Sequence, residues 1–463
     1  MARRSRATTA CCGSCRLAPD TFAGLRTGLP LALVLGVLVA AAPAGAASEP
    51  YVAIRGYDEP GTPAKYDKVF VRKFGSPSAK RVLVLVPGFV GGSGDFTLVA
   101  RELVKRVPGL QVWAEDRRSN AFEDTSKFQP GTSAEEAYDY YLDKLAFKIV
   151  DGPRDAPFAR GWGLKVAMED LRRVILAAKR GGHKVILGGH SLGGSSTVAY
   201  ATWDFKGKPG YKDVDGLVLI DGGLLGSFDS ANLSQARRRK AKIDSGEPFS
   251  ALLEGLPPWA AGVFAEVAGI LAKQAPNAVS KAQNYVLLPA VFRPAFPVTN
   301  EALFARALDA DTSPKGLELL RLNAGRLAAS GDPRPWRNGE LTPAQNIAST
   351  FWQEPGNAVE WYFPDRLRLD VDGMSPLKRG PVATLLGLRP FHVAEVDDPL
   401  YAYDTNLTRG KIIRGARAFV RRSKIERATY VPDFAASHLD PLTAAPARNR
   451  FLKTVVPFLK SLG

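Results

Sequence analysis

Cysteine is nearly absent. The 463 residues contain three, Cys11, Cys12 and Cys15, and none follows them. A disulfide framework, a zinc cluster or a cysteine nucleophile is therefore excluded from the rest of the chain. Histidine is also scarce, with His183, His190, His392 and His438 the only imidazoles. No apolar run reaches the ~20 residues that a spanning helix needs. The longest, Leu29–Ala42, stops at Pro43. Past that run there is no internal repeat and no low-complexity tract. With 45% apolar and 23% charged residues, a disordered chain or a polytopic membrane protein is excluded.

The N-terminus reads as a leader. Arg3, Arg4, Arg6, Arg16 and Arg26 precede the apolar run, and Ala44-Gly45-Ala46 gives a small-residue cleavage site. This pattern predicts a signal peptide over 1–46 and an exported, secreted or cell-envelope protein. Lys and Arg number 62 against 46 Asp and Glu, and loss of a leader with five Arg and one Asp would leave +12 of the +16 net charge. A basic surface suits weak association with anionic surfaces, and equally serves solubility. Nucleic acid is not expected as a partner, because no basic–aromatic motif occurs.

Strand and helix patterns alternate from about residue 68. Arg81–Val86 reads RVLVLV and is bounded by Pro87-Gly88, as for a strand buried on both faces. Leu164, Met168, Leu171 and Ile175 share one face of a helix over Leu164–Lys179. Further strands are expected at Lys68–Lys73, Leu110–Ala114, Lys184–Leu187, Gly216–Ile220, Pro399–Tyr403 and Arg427–Val431. Such alternation predicts an α/β fold with a mostly parallel, doubly wound sheet. Between 224 and 398 the alternation stops and the chain becomes Pro-punctuated and rich in helix and aromatic residues. Loops longer than ~15 residues are rare, so a helical cap inserted after the Gly216–Ile220 strand is expected. The predicted organisation is a leader at 1–46, a core at 47–223, a cap at 224–398 and the rest of the core at 399–463.

One motif carries chemistry. Gly189-His190-Ser191-Leu192-Gly193 directly follows the strand Val185-Ile186-Leu187 and leads into Gly194-Ser195-Ser196. This is a G-x-S-x-G elbow. Its glycines let a strand reverse into a helix, which lifts the Ser191 hydroxyl above the sheet edge and turns the Leu192 amide toward the same spot. The glycines at 88, 91, 92 and 94 do not spell a dinucleotide fingerprint. Ser191 requires a base. Of the four histidines, His438 lies between the last strand and the last helix, where it can reach the elbow. Two aspartates can complete the set. Asp404 ends the next-to-last strand 34 positions before His438 and is preferred, Asp221 ends the strand beside the nucleophile, and Asp397 and Asp398 are weaker choices.

With these residues the chain resembles the α/β-hydrolase family over most of 65–463. Val84–Phe89 is similar to the family's oxyanion turn, with Pro87 where histidine is usual. Val112–Asn120 is similar to its Asp-x-Arg-Gly stretch, with Ser119 in place of glycine, and Ser437-His438-Leu439-Asp440 stands where the family keeps its histidine. The resemblance implies Phe89 and Leu192 as oxyanion donors and no metal or organic cofactor. It implies a secreted serine hydrolase that cleaves a small-molecule or lipid carboxylic ester through an acyl-enzyme, lipase-like or carboxylesterase-like. Two alternatives stay open. One is an aminopeptidase-like enzyme, which would need an acidic pocket such as Asp365, Asp370 and Asp372 could supply. The other is a noncatalytic binding protein on the same scaffold.

Overall fold

Residues 49–463 are described by a computed structural model, apart from 254, 314–321 and 353–357. The expected leader and its cysteines lie outside the described residues. Eight strands form one sheet: β1 (Tyr51–Arg55), β2 (Lys68–Phe74), β3 (Arg81–Val86), β4 (Leu110–Asp116), β5 (Lys184–His190), β6 (Leu217–Ile220), β7 (Leu400–Thr405) and β8 (Ala428–Asp433). Their order is β1-β2-β4-β3-β5-β6-β7-β8. The pairs β1–β2 and β2–β4 are antiparallel and the rest parallel.

The helices longer than five residues are α1 (Thr97–Arg106), α2 (Leu164–Lys179), α3 (Leu192–Thr202), α4 (Leu233–Ser245), α5 (Ala260–Gln274), α6 (Asn300–Leu308), α7 (Ala344–Phe351), α8 (Asp365–Met374), α9 (Pro381–Leu386), α10 (Lys411–Arg421) and α11 (Arg450–Ser461). None of the described helices is long and apolar enough to cross a membrane.

The strand β3 shows why its residues form this sheet. Val82, Val84 and Val86 enter one apolar cluster with Leu164, Met168, Leu171 and Ile175 of α2. Leu83 and Leu85 point the other way, into a cluster with Leu103 of α1 and with Phe451, Leu452, Val455 and Phe458 of α11. Both faces are thus covered, which is why the strand reads as an unbroken apolar run. Each fully buried Val or Leu contributes roughly 1.5–3 kcal/mol.

The segment expected as a cap, 224–398, divides between two apolar clusters. A separate helical lobe has its own apolar cluster, but it is assembled from two stretches. Phe122, Phe128, Tyr141, Phe147 and Trp162 come from the segment before α2, and Trp259, Val263, Phe304, Phe351 and Trp361 from the segment after β6. Other parts of 224–398 return to the sheet. Ala236 and Ile243 of α4, Leu367 and Leu369 of α8, and Leu386 of α9 all join the cluster on the α2 face. The reason is their partners: α8 packs on α2 and α3, and α4 on α8 and α9. The lobe also contains a short hairpin, Gly325–Leu327 with Trp336–Asn338, where no strand was expected.

Candidate active site

At the carboxyl end of β5 the chain turns sharply at Ser191, whose φ is 55° and ψ −121°. A non-glycine residue there stores about 1–3 kcal/mol of strain and persists only where its surroundings impose it. Two glycines do so. A Cβ on Gly193 would sit 1.9 Å from the Val86 carbonyl oxygen, and one on Gly189 2.2 Å from the Gly193 backbone. The Ser191 amide donates to the Ile220 carbonyl at 3.0 Å, and the Gly194 amide donates to the Ser191 carbonyl at 2.9 Å. Ser191 is left half-buried at the floor of a cleft, at the start of α3.

The turn after β3 packs against it. A Cβ on Gly88 would lie 3.1 Å from the Ser191 Cβ. Among the described residues, neither the Phe89 amide nor the Leu192 amide donates a hydrogen bond within the chain. The two expected donors are therefore free beside the serine. This turn is strained as well, since Val90 has φ 50°. It is fixed from two sides. The Arg117 guanidinium donates to the carbonyls of Pro87 (2.7 Å), Gly88 (2.9 Å) and Gly91 (3.2 Å), and to Glu360 Oε2 at 2.7 Å. The Glu360 amide donates to the Val90 carbonyl at 2.9 Å, and Ser119 Oγ donates to Glu360 Oε1. Sequence reasoning gave Arg117, Ser119 and Glu360 no part in the site. The similarity around Asp116-Arg117 was the available signal.

His438 comes from the loop after β8, as expected, and is buried against Asp221. Its Nδ1 lies 2.5 Å from Asp221 Oδ2. The same carboxylate accepts from the Thr405 amide at 2.8 Å and from Thr405 Oγ1 at 2.5 Å. Burial alone would raise the Asp221 pKa, but the His438 hydrogen bond and charge, together with the Thr405 donors, outweigh it and hold the carboxyl below its ordinary value.

Asp404, preferred on sequence, does not meet His438. Its Oδ1 accepts from Thr408 Oγ1 (3.0 Å) and the Gly410 amide (3.1 Å), and its Oδ2 from the Ile413 amide at 3.0 Å. It satisfies orphan donors at the start of α10. Its pKa is raised, mainly by burial, with the neighbouring Asp221 charge adding to the effect. The choice between the two aspartates is corrected accordingly. Asp397 pairs with Lys212 on the surface, and Asp398 is not bonded to His438.

His190 flanks the serine and faces His438, with ring centroids 4.3 Å apart. Burial, reinforced by His438, lowers its pKa to about 3, so it is neutral. Its Nε2 lies 2.9 Å from the His438 carbonyl oxygen and donates to it in the matching tautomer. The other two histidines are elsewhere: His183 binds the Ala178 carbonyl, and His392 sits between Asp204 and Glu395.

The cleft above Ser191 encloses about 1250 Å³ of non-atom space, open solvent at its mouth included. Its walls are mostly apolar, with Leu142, Phe264, Ala265, Leu303, Phe304 and Phe351 from the helical lobe. Asp365, Asp370 and Asp372 do not line it. They hold Ser250, Arg366 and Arg239 respectively.

No family model and no curated protein matches the chain. Solved structures similar to it include a soluble variant of monoglyceride lipase from Saccharomyces cerevisiae, at 12% identity over 88% of this chain and 94% of that one, with a TM-score of 0.40. A thermophilic esterase from Thermogutta terrifontis is 14% identical over 89% and 99%, with a TM-score of 0.39. An epoxide hydrolase from Vigna radiata is 13% identical over 89% and 98%, with a TM-score of 0.41. In the chain itself, the elbow follows a central parallel strand, and Ser191 precedes Asp221 and His438 in order. Together with the mostly parallel eight-stranded sheet, these features are those of the α/β-hydrolase fold.

Proposed function

We propose that this protein is a serine hydrolase that cleaves a carboxylic ester with a large apolar portion through an acyl-enzyme. The observation that carries the reading is the convergence, at one end of the sheet, of the strained Ser191, two unengaged amides and a histidine bonded to a buried carboxylate. In this mechanism Ser191 Oγ attacks the ester carbonyl while His438 Nε2 takes its proton. The Phe89 and Leu192 amides receive the oxyanion, and Asp221 stabilises the imidazolium. His438 then returns the proton to the departing alkoxide. Water, deprotonated by His438, releases the acid and restores Ser191.

The apolar cleft supports a long acyl or alkyl chain. Beside it, Tyr285, Leu288 and Phe292 line the cleft, while Val286 (78% exposed) and Val291 from the same segment face solvent. Exposed apolar side chains at a cleft wall suit a substrate presented in lipid. Export after removal of residues 1–46 belongs to the same proposal; a mass of the exported protein short by that leader is the expected result, and a retained leader overturns it.

Fluorophosphonate labelling, followed by a panel of chain-length esters and aminoacyl amides, tests the function. Labelling at Ser191 that is lost in Ser191→Ala, with turnover falling by several orders of magnitude, is expected. Undiminished turnover in Ser191→Ala overturns the proposal, and a preference for the amides overturns its substrate.

A further inference from the structure

The cleft wall contains one carboxyl that the reaction above does not use. Asp95 follows the oxyanion turn, is 8% exposed, and lines the same cleft as Ser191 and His438. Its Oδ2 lies against that turn, 2.6 Å from where a Cβ on Gly91 would be. Gly88, at the other end of the turn, is the residue that packs on Ser191. One short loop therefore separates the carboxyl from the nucleophile.

No side chain among the described residues hydrogen-bonds to Asp95, and the Gly92 amide beside it donates to the Ala358 carbonyl at 3.2 Å. The cation that acts on it is Arg117, but that guanidinium is engaged by three carbonyls and Glu360. Behind Asp95 stands the like charge of Asp116, which is itself bonded to Ser93 and Tyr51. Across the cleft are the neutral His190 and the Asp221-bonded His438. Burial first, then Asp116, pushes the Asp95 carboxyl well above its ordinary range, and Arg117 and the Gly92 amide only partly oppose them. Burial without a paired cation favours the protonated form of this carboxyl, whose O–H no group among the described residues accepts.

We propose that Asp95 is a substrate-contacting hydrogen-bond donor, its carboxyl O–H directed into the cleft to an oxygen of the bound ester beside the oxyanion turn. The inference rests on the serine-hydrolase reading. A neutral donor there adds to the two amides as negative charge develops. Once ionised, the same group would set a charge into an apolar wall and repel the oxyanion, so activity falls at alkaline pH.

The test compares Asp95→Asn, which keeps a donor and cannot ionise, with Asp95→Ala, which has none. Asp95→Leu, closer in size, replaces the alanine variant if that one melts early. Each is assayed for p-nitrophenyl ester kcat/KM across pH and for fluorophosphonate labelling of Ser191. Expected are an Asn variant within about threefold of wild type that lacks its alkaline fall, and an Ala or Leu variant lower by about tenfold or more. An Ala or Leu variant at the wild-type level overturns the role of Asp95. So does an Asn variant that is as impaired as Ala or that keeps an alkaline fall. If wild type is not labelled at Ser191, the serine-hydrolase reading itself fails. If all are labelled and the variants do not differ, only Asp95 is wrong.

Discussion

Asp221 and His438, 217 positions apart in the chain, meet with Nδ1 and Oδ2 at 2.5 Å. Asp404 lies next to the end of the adjacent strand β7, pairs in register with Pro432 of β8, and turns its carboxylate to the amides at the start of α10. Two buried aspartates on neighbouring strands thus have separate tasks. Asp221→Asn removes the charge that stabilises the imidazolium and favours the wrong tautomer, so ester turnover should fall by ~10³–10⁴. Asp404→Asn should turn over ester at close to the wild-type rate. Asp404→Ala, which empties three hydrogen bonds, should lose about 1–3 kcal/mol of stability in denaturant melts. The reverse pattern of rates would reinstate Asp404 as the partner of His438.

The neutral His190 links the elbow to the histidine loop through the His438 carbonyl. His190→Leu keeps apolar bulk and drops that bond. The loop then loses its tether and kcat should fall by up to about a hundredfold, with KM little changed. Because the ring titrates only near 3, the pH–rate profile above pH 5 should keep its shape. A displaced profile would mean that His190 carries a proton in the reaction.

Ser191 and His438 were legible because each depends on local chain order: a strand, a five-residue turn and a helix in one case, a loop between the last strand and helix in the other. The carboxylate that meets His438 was not, because Asp221 and Asp404 both lie at the carboxyl ends of parallel strands. What distinguishes them is backbone conformation. Asp221 adopts φ 46°, and its carboxylate is shared by Thr405 and His438. The two-part lobe was hidden for a related reason. Phe122 and Trp162 flank a stretch with little periodicity, and tertiary ring contacts, Phe122 with Phe249 and Tyr362 and Phe147 with Trp259 and Trp361, join it to the later segment. The departures from the family pattern also became intelligible only in three dimensions. Ser119, where glycine is usual, binds the Glu360 that helps to hold the turn after β3.

Ala265 lines the cleft from α5, the helix that carries much of the lobe's apolar cluster. A larger side chain there would occupy room meant for substrate. Ala265→Phe should leave short-chain esters nearly unaffected and reduce kcat/KM for long chains. The expected loss is roughly fourfold for each methylene excluded, from about 0.8 kcal/mol per buried CH₂. Uniform losses across chain lengths would mean that the chain lies elsewhere.

Glu115 links site to stability. It is buried in β4 beside Arg117, Asp116 and Asp170, and burial above all raises its pKa from 4.5 to about 8. The folded state therefore holds this proton more tightly than the unfolded chain does. Its contribution to stability is fully present below pH 4.5, declines as pH rises, and is lost as pH passes about 8. Glu115→Gln keeps the shape and cannot ionise. Relative to wild type it should be increasingly stabilised from pH 5 to pH 9, read as a widening gap in denaturation midpoint. A gap that stays constant with pH would mean that Glu115 titrates normally and that Arg117 compensates its charge in the folded state.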